Sequence, residues 1–218
     1  MDKLNDYIKQ LYTRQSYIKG GDIPDKPYVP QYFPEKNDEV LIDEVGKYSI
    51  SKPYITQILI KLIKKNIRNS VPLSMLRITD GTASIGGDTL AFSKEFQSVN
   101  SVEFDKTRFD YLKHNMNLFK RYNITFYNDS YLNLYKKLTQ DIIYMDPPWG
   151  GPDYKNIKNL TLSLGDRKMD DLCRDIIENK LCKLIILKLP YNYDLSTFNF
   201  KYKKYLIKTI LFIFINVY

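Results

Sequence analysis

Thiol and imidazole are scarce in this chain: 218 residues contain two cysteines, Cys173 and Cys182, and one histidine, His114. A zinc site or a disulfide framework needs more of either. No metal is therefore expected. Both cysteines read as core residues of a protein kept in a reducing compartment, and His114 as an exposed helix residue. Long apolar runs are missing too. The longest, "ILFIFINVY" at the end, falls well short of the ~20 residues of a membrane span, and the opening "MDKLND" lacks the apolar centre of a signal peptide. A soluble intracellular monomer is the expectation, with no membrane partner, in cytoplasm or nucleus, and in the host cell if the source is viral. Repeats and low-complexity tracts are absent as well. Tryptophan occurs once, at Trp149.

What is present is an excess of basic charge. Lys and Arg outnumber Asp and Glu by 33 to 25, for a formal charge of +8, which favours a polyanionic partner without identifying one. Residues 1–19 read as a polar helix ended by Gly20-Gly21. "DIPDKPYVPQYFPEKND" has too many prolines for regular helix. Residues 1–51 are accordingly taken as a helix and a Pro- and aromatic-rich arm, and residues 52–218 as the main domain. In that domain, residues 52–68 show helical apolar spacing. Strand-like runs, "LSMLRITDG", "SVNSVEFD", "NITFYNDS", "DIIYMD" and "KLIILKLP", then alternate with helical patterns at "DTLAFSKEF", residues 106–121 and residues 166–180, before a strand-like close at "KYLIKTILFIFINV". This alternation predicts an α/β fold, a doubly wound and mainly parallel sheet with helices on both faces.

In such sheets ligands sit beyond the carboxyl ends of the strands, and Asp80, Glu103, Asp129 and Asp146 each fall at or just after a strand end. The loop "DGTASIGGDT" joins the first strand to a helix. Its glycines are spaced for neither a dinucleotide fingerprint nor a phosphate loop. An acid, a small-residue loop and a second acid suit S-adenosylmethionine instead: Asp80, Thr82, Gly86, Gly87 and Thr89 for the methionine moiety, Glu103 for the ribose diol, Asp129 for the adenine amine. At "DPPW", 66 residues after Asp80, two prolines stiffen the chain. Asp146 and the Pro147 carbonyl can hold the two protons of an unreactive aryl amine, and Trp149 offers a face on which a base stacks.

"DPPW" resembles the catalytic motif of class I amino-methyltransferases acting on exocyclic amines. The longer "PPWGGPDY", with "DGTASIGGDT" and "GKYSISKPYI", resembles the trimethylguanosine synthase family, whose members methylate the guanine N2 amine of a 7-methylguanosine RNA cap. The resemblance implies a Rossmann-like, seven-stranded methyltransferase using S-adenosylmethionine and leaving S-adenosylhomocysteine, with capped RNA or a cap nucleotide as partner. It makes Asp146, Pro147 and Trp149 catalytic, places Ser49 and Ser51 over the cofactor, and sets Trp149, Pro148, Asn115 and Tyr154 around the cap. The 1–51 arm becomes a cap-side lid. Three positions depart from the family pattern: Ser84 stands for Gly, Asp88 for Asn, and Tyr191 for a phosphate-binding Arg, a loss that Lys188 or Lys26 is expected to offset. Asp146 also replaces the Ser common in cellular members. The alternatives are an amino-methyltransferase acting on adenine in DNA or mRNA or on guanine in rRNA, and a non-catalytic cap- or RNA-binding subunit.

Overall fold

The computed structural model describes residues 32–33, 39–67 and 71–218, apart from the side chain of Pro152. The 1–19 helix, most of the arm and Lys26 lie outside the described residues. Helix α1 (Glu44–Ser49) is capped by Asp43, whose carboxylate accepts from the Gly46 amide at 2.7 Å. Helix α2 (Pro53–Asn66) starts on a proline, which is preset for a first turn. The sheet comprises β1 (Arg77–Asp80), β2 (Ser98–Val102), β3 (Ile124–Tyr127), β4 (Ile142–Met145), β7 (Leu184–Pro190), β8 (Lys203–Ile207) and β9 (Ile210–Asn216). A separate hairpin joins β5 (Ser163–Leu164) to β6 (Arg167–Lys168). The remaining helices are α3 (Gly87–Glu95), α4 (Lys106–Leu118), the short α5 (Tyr131–Leu134) and α6 (Met169–Glu178).

Strand order is β3-β2-β1-β4-β7-β9-β8, and only β9 runs against its neighbours. The expected seven-stranded, mainly parallel sheet is what the chain forms. Order reverses between β1 and β4, so that pair flanks the switch point where a crevice opens. The central strands are buried throughout, as a sheet covered on both faces requires. Alternate residues divide them between two cores. Ile78, Ile142, Tyr144 and Ile186 pack with α2 and with Phe92 of α3. Ile143, Met145, Ile185 and Leu187 pack with Met169, Leu172, Cys173 and Ile176 of α6. Both cysteines are free and buried. A third cluster draws in Phe33, Val40 and Ile50 from ahead of α2, with Phe33 stacked on Phe119 at 5.3 Å.

Local differences from the sequence reading have simple causes. "LSM" is a 3₁₀ turn (Leu73–Met75), because Pro72 opens it and the sheet register starts only at Arg77. The closing apolar run folds back at Lys208-Thr209 into the antiparallel pair β8–β9. The β5–β6 hairpin and α5 were not expected. No helix among the described residues is long and apolar enough to cross a membrane.

Candidate active site

A cleft of about 340 Å³ opens at the carboxyl edge over β1 and β4. Ser49 and Ser51, Thr82 and Ser84 of the first loop, Asp88, Glu103, Asp129, Asp146 and Pro148 are on its walls. Glu103 is held by two backbone amides, Ser84 N at 2.8 Å and Asp105 N at 2.9 Å, with Arg108 Nε at 3.5 Å. Asp129 accepts from Ser130 N at 2.7 Å and Asn133 Nδ2 at 2.8 Å. Ser49 and Ser84 hydroxyls lie 3.3 Å apart.

Asp80 lies under this cleft rather than on its wall. It is 1% exposed, with one oxygen accepting from Thr89 Oγ1 at 2.6 Å. Burial, then the neighbouring Asp88, push its pKa up to about 8 against the pull of its hydrogen bonds from Thr89 and Thr82. Thr89 is itself fully buried and props Asp80 from behind, sharing a hydrogen bond with Ser101. Gly86 caps α3 at φ 100°, a conformation that side chains resist, and a Cβ there would come within 2.7 Å of Met116.

The second wall is the acid–proline–proline–tryptophan corner. The Asp146 amide donates to Thr82 Oγ1 at 2.7 Å, tying the corner to the first loop. One Asp146 oxygen accepts from Trp149 Nε1 at 3.0 Å, and the other from the Lys188 ammonium at 2.5 Å. Lys188 also donates to Ser51 Oγ at 2.8 Å, and that hydroxyl donates to Asp88 at 2.6 Å. Thr56 and Tyr144 donate to Asp88 as well. Burial raises the Asp146 pKa to about 6, although Lys188 opposes the rise. Burial works against the charge on Lys188, but Asp146 and Asp88 more than offset it and leave the pKa above the ordinary lysine value. Trp149 is half-buried and meets the Tyr154 ring edge-on at 5.1 Å. Gly150 and Gly151 follow at φ 84° and 80°, with open space where a Cβ would be.

Two residues expected around the cap are elsewhere. Asn115 is fully buried and cross-links backbones, accepting from Leu41 N at 2.9 Å and donating to the Leu41 and Ile85 carbonyls at 3.0 Å. Lys188, expected to reach phosphate, is 4% exposed and committed to Asp146. Tyr191 follows the last residue of β7 and is half-exposed. The sequence reading missed the Asp88–Ser51–Lys188 relay, because its members are spread over 137 positions and only the fold joins them. It also missed Arg108, exposed Phe104 and the Leu164-Gly165 tip, all on the cleft. For the tip a signal existed: Gly-Asp between two extendable pairs is a hairpin turn.

The cleft sets four carboxylates against one arginine, a donor set that fits a ligand bearing positive charge. Among the described residues no His, Cys, Asp and Glu side chains group as metal ligands.

Residues 76–209 match the sequence model of the family described as RNA cap guanine-N2 methyltransferase. An uncharacterized protein of Acanthamoeba polyphaga mimivirus is 39% identical over 138 residues, 62% of this chain and 54% of that protein. The chain thus spans about half the length of that relative. The trimethylguanosine synthase of Schizosaccharomyces pombe is 24% identical over 172 residues, 75% of this chain and 68% of that enzyme. Among solved structures, a 16S rRNA N2 methyltransferase of T. thermophilus, in complex with AdoMet and guanosine, shares the fold. Its TM-score is 0.57 at 13% identity, over 82% of this chain and 44% of that one.

Proposed function

The chain belongs to the RNA cap guanine-N2 methyltransferase family, and on that premise we propose that it moves a methyl group from S-adenosylmethionine to the exocyclic N2 amine of a 7-methylguanosine RNA cap. The observation that carries the reading is the Asp146–Trp149 corner. Its carboxylate is fixed from two sides, on the rim of a cleft rich in acids.

S-adenosylmethionine, when bound, supplies an electrophilic methyl carbon on a sulfonium. Asp80 and the Thr82–Thr89 loop would hold its amino-acid end, where an ammonium would return Asp80 to its ionised form. Glu103 would take the ribose hydroxyls and Asp129 the adenine amine, with Ser49 and Ser51 closing from above. Asp146 keeps acceptor capacity after its bonds to Trp149 and Lys188, since a carboxylate offers about four lone-pair sites. With the Pro147 carbonyl it would hold both N2 protons and aim the nitrogen lone pair at the methyl carbon. Alignment of this kind supplies much of the rate. Once the methyl group has moved to the nitrogen, Asp146 would accept the surplus amine proton and release it to water. Trp149 would stack on the base, and a 7-methylated, cationic guanine adds a cation–π attraction of about 2 kcal/mol when desolvated. Pro148 and Tyr154 would frame the base, and the 1–51 segment would act as a lid.

The deciding assay is labelled methyl transfer to 7-methyl-GDP and to GDP. Transfer to the first and not the second is expected. Equal transfer to both would remove the cationic partner from the reading.

A further inference from the structure

The charge excess is not spread over the chain. Residues 45–79 hold seven Lys and Arg with no Asp or Glu, and residues 195–218 hold four Lys with no Asp or Glu. At 25 carboxylates in 218 residues, stretches of that combined length would carry about seven. Eleven of 33 basic residues lie in these two stretches, so the other 22 face all 25 acids and the rest of the chain is acidic on balance.

The fold puts the two stretches together. α2 comes from the first, β8 and β9 from the second, and they share one core. Asn66 of α2 donates to Tyr205 of β8 at 3.2 Å, Lys65 sits 5.7 Å from the Tyr205 ring centre, and Lys208 sits 5.1 Å from that of Tyr54. The four exposed positions of α2 are Gln57, Lys61, Lys64 and Lys65. Lys61 and Lys65, four apart, stand side by side on one face of the helix. Lys64 meets Glu95 at 2.7 Å, an exposed pair that salt screens. The surface reaches the cleft directly. β8 runs parallel to β7, so Lys208 is at the catalytic edge, where Thr209 accepts from the Tyr191 amide. Ser51, on the cleft wall, lies two residues before α2 and also lines a groove of about 280 Å³ that follows α2 past Lys61 and Lys64.

From this we infer that the α2–β8 face is the track for the phosphate backbone of single-stranded RNA downstream of the methylated nucleotide. Lysines interleaved with Tyr54 and Tyr205 are the pattern of a sequence-indifferent strand-binding surface. α2 alone is about 21 Å long at 1.5 Å per residue, enough for several nucleotides. The capped-RNA reading above supplies the identity of the polyanion.

The test uses the full chain with Lys65→Glu/Lys203→Glu and, as a control of equal charge change, Lys113→Glu/Lys137→Glu. Anisotropy with a labelled uncapped 20-nucleotide strand should show the first variant binding about tenfold more weakly at 0.1 M salt, with the salt slope flatter by about 0.7 for each phosphate no longer neutralised. KM for the same strand carrying a 7-methylguanosine cap should rise about tenfold, and KM for 7-methyl-GTP should stay within twofold. The control should change neither. Equal weakening in the control, equal KM values for strand and 7-methyl-GTP in the unmodified protein, or binding to anionic phospholipid vesicles in place of RNA would each overturn the inference. Failure of the capped-RNA reading looks different: the uncapped strand is still held through Lys65 and Lys203, but no methyl reaches either cap substrate.

Discussion

Two glycine pairs border the cleft and serve opposite ends. Gly86 and Gly87 are packed: a Cβ on the first would strike Met116 and Leu112, and on the second Ile50, at 2.5–2.9 Å. Gly150 and Gly151 have nothing within 4 Å and need glycine only for their positive φ. The first-loop side of the cleft is therefore finished before any ligand arrives, with its loop clamped by side chains from α4 and from ahead of α2. Past Trp149 the opposite side has open space beside its glycines, and is held by a ring edge, the indole hydrogen bond and Asn192, which donates to the Tyr154 and Ile157 carbonyls. On the proposed reading, rigidity lies where the cofactor would bind, and room where the end of an RNA would enter.

The largest effect that would break this contrast is at its junction. Asp146→Ala should lower the methyl-transfer rate about 10³-fold, the scale of losing a preorganised polar group at a reacting centre. It should also cost stability, since Lys188 is left buried without its carboxylate. Turnover at the unmodified rate would reduce the corner to scaffolding. Next, Trp149→Ala should raise KM for 7-methyl-GDP about 10²-fold, while Trp149→Phe, which keeps a stacking face, stays within about tenfold; similar small changes in both would put the indole among the core residues. The glycine pairs then sharpen the contrast by thermal melting. Gly87→Ala should destabilise by about 1–3 kcal/mol through overpacking against Ile50. Gly151→Ala meets no side chain, so its cost should be backbone strain alone, about 1–3 kcal/mol at φ 80°, together with a few-fold rise in KM.

A last test is the pH dependence contributed by the buried acid beneath the first loop. Burial raises the Asp80 pKa from 3.8 to about 8, so the folded chain binds that proton more tightly and loses stability as pH rises from about 4 to about 8. Asp80→Asn escapes this loss. Without cofactor, its melting temperature should exceed that of the unmodified chain by little at pH 5 and by several degrees at pH 8, at about 2–4 °C per kcal/mol. A gap constant with pH would assign the titration elsewhere. In Lys188, where the raised pKa belongs to a cation, stability is kept until pH exceeds the ordinary lysine value.

The sheet was legible because buried parallel strands read as short apolar runs, and the acids that end β1 and β4 stop those runs abruptly. Motif spacing carried the reading to the cleft, whose walls include Glu103, Asp129 and Asp146. Burial was not legible. Asn115 and Lys188 look like surface polar residues in sequence, and only long-range partners, Leu41 and Ile85 for one, Ser51 and Asp146 for the other, turn them inward. Asp88 showed the same limit. It stood out as a departure from a family pattern, but three hydroxyls, those of Ser51, Thr56 and Tyr144, are what make a buried acid tolerable there.

The joining of Lys188 to Asp146 bears on how such a chain can drift. Neither position is free to mutate alone: exchange of the acid for a small hydroxyl strands an ammonium in the interior, and loss of the ammonium leaves a carboxylate that takes up a proton. A lineage crossing between acid and hydroxyl at this corner must therefore change both sites, and descendants should carry the two replacements as an inherited pair.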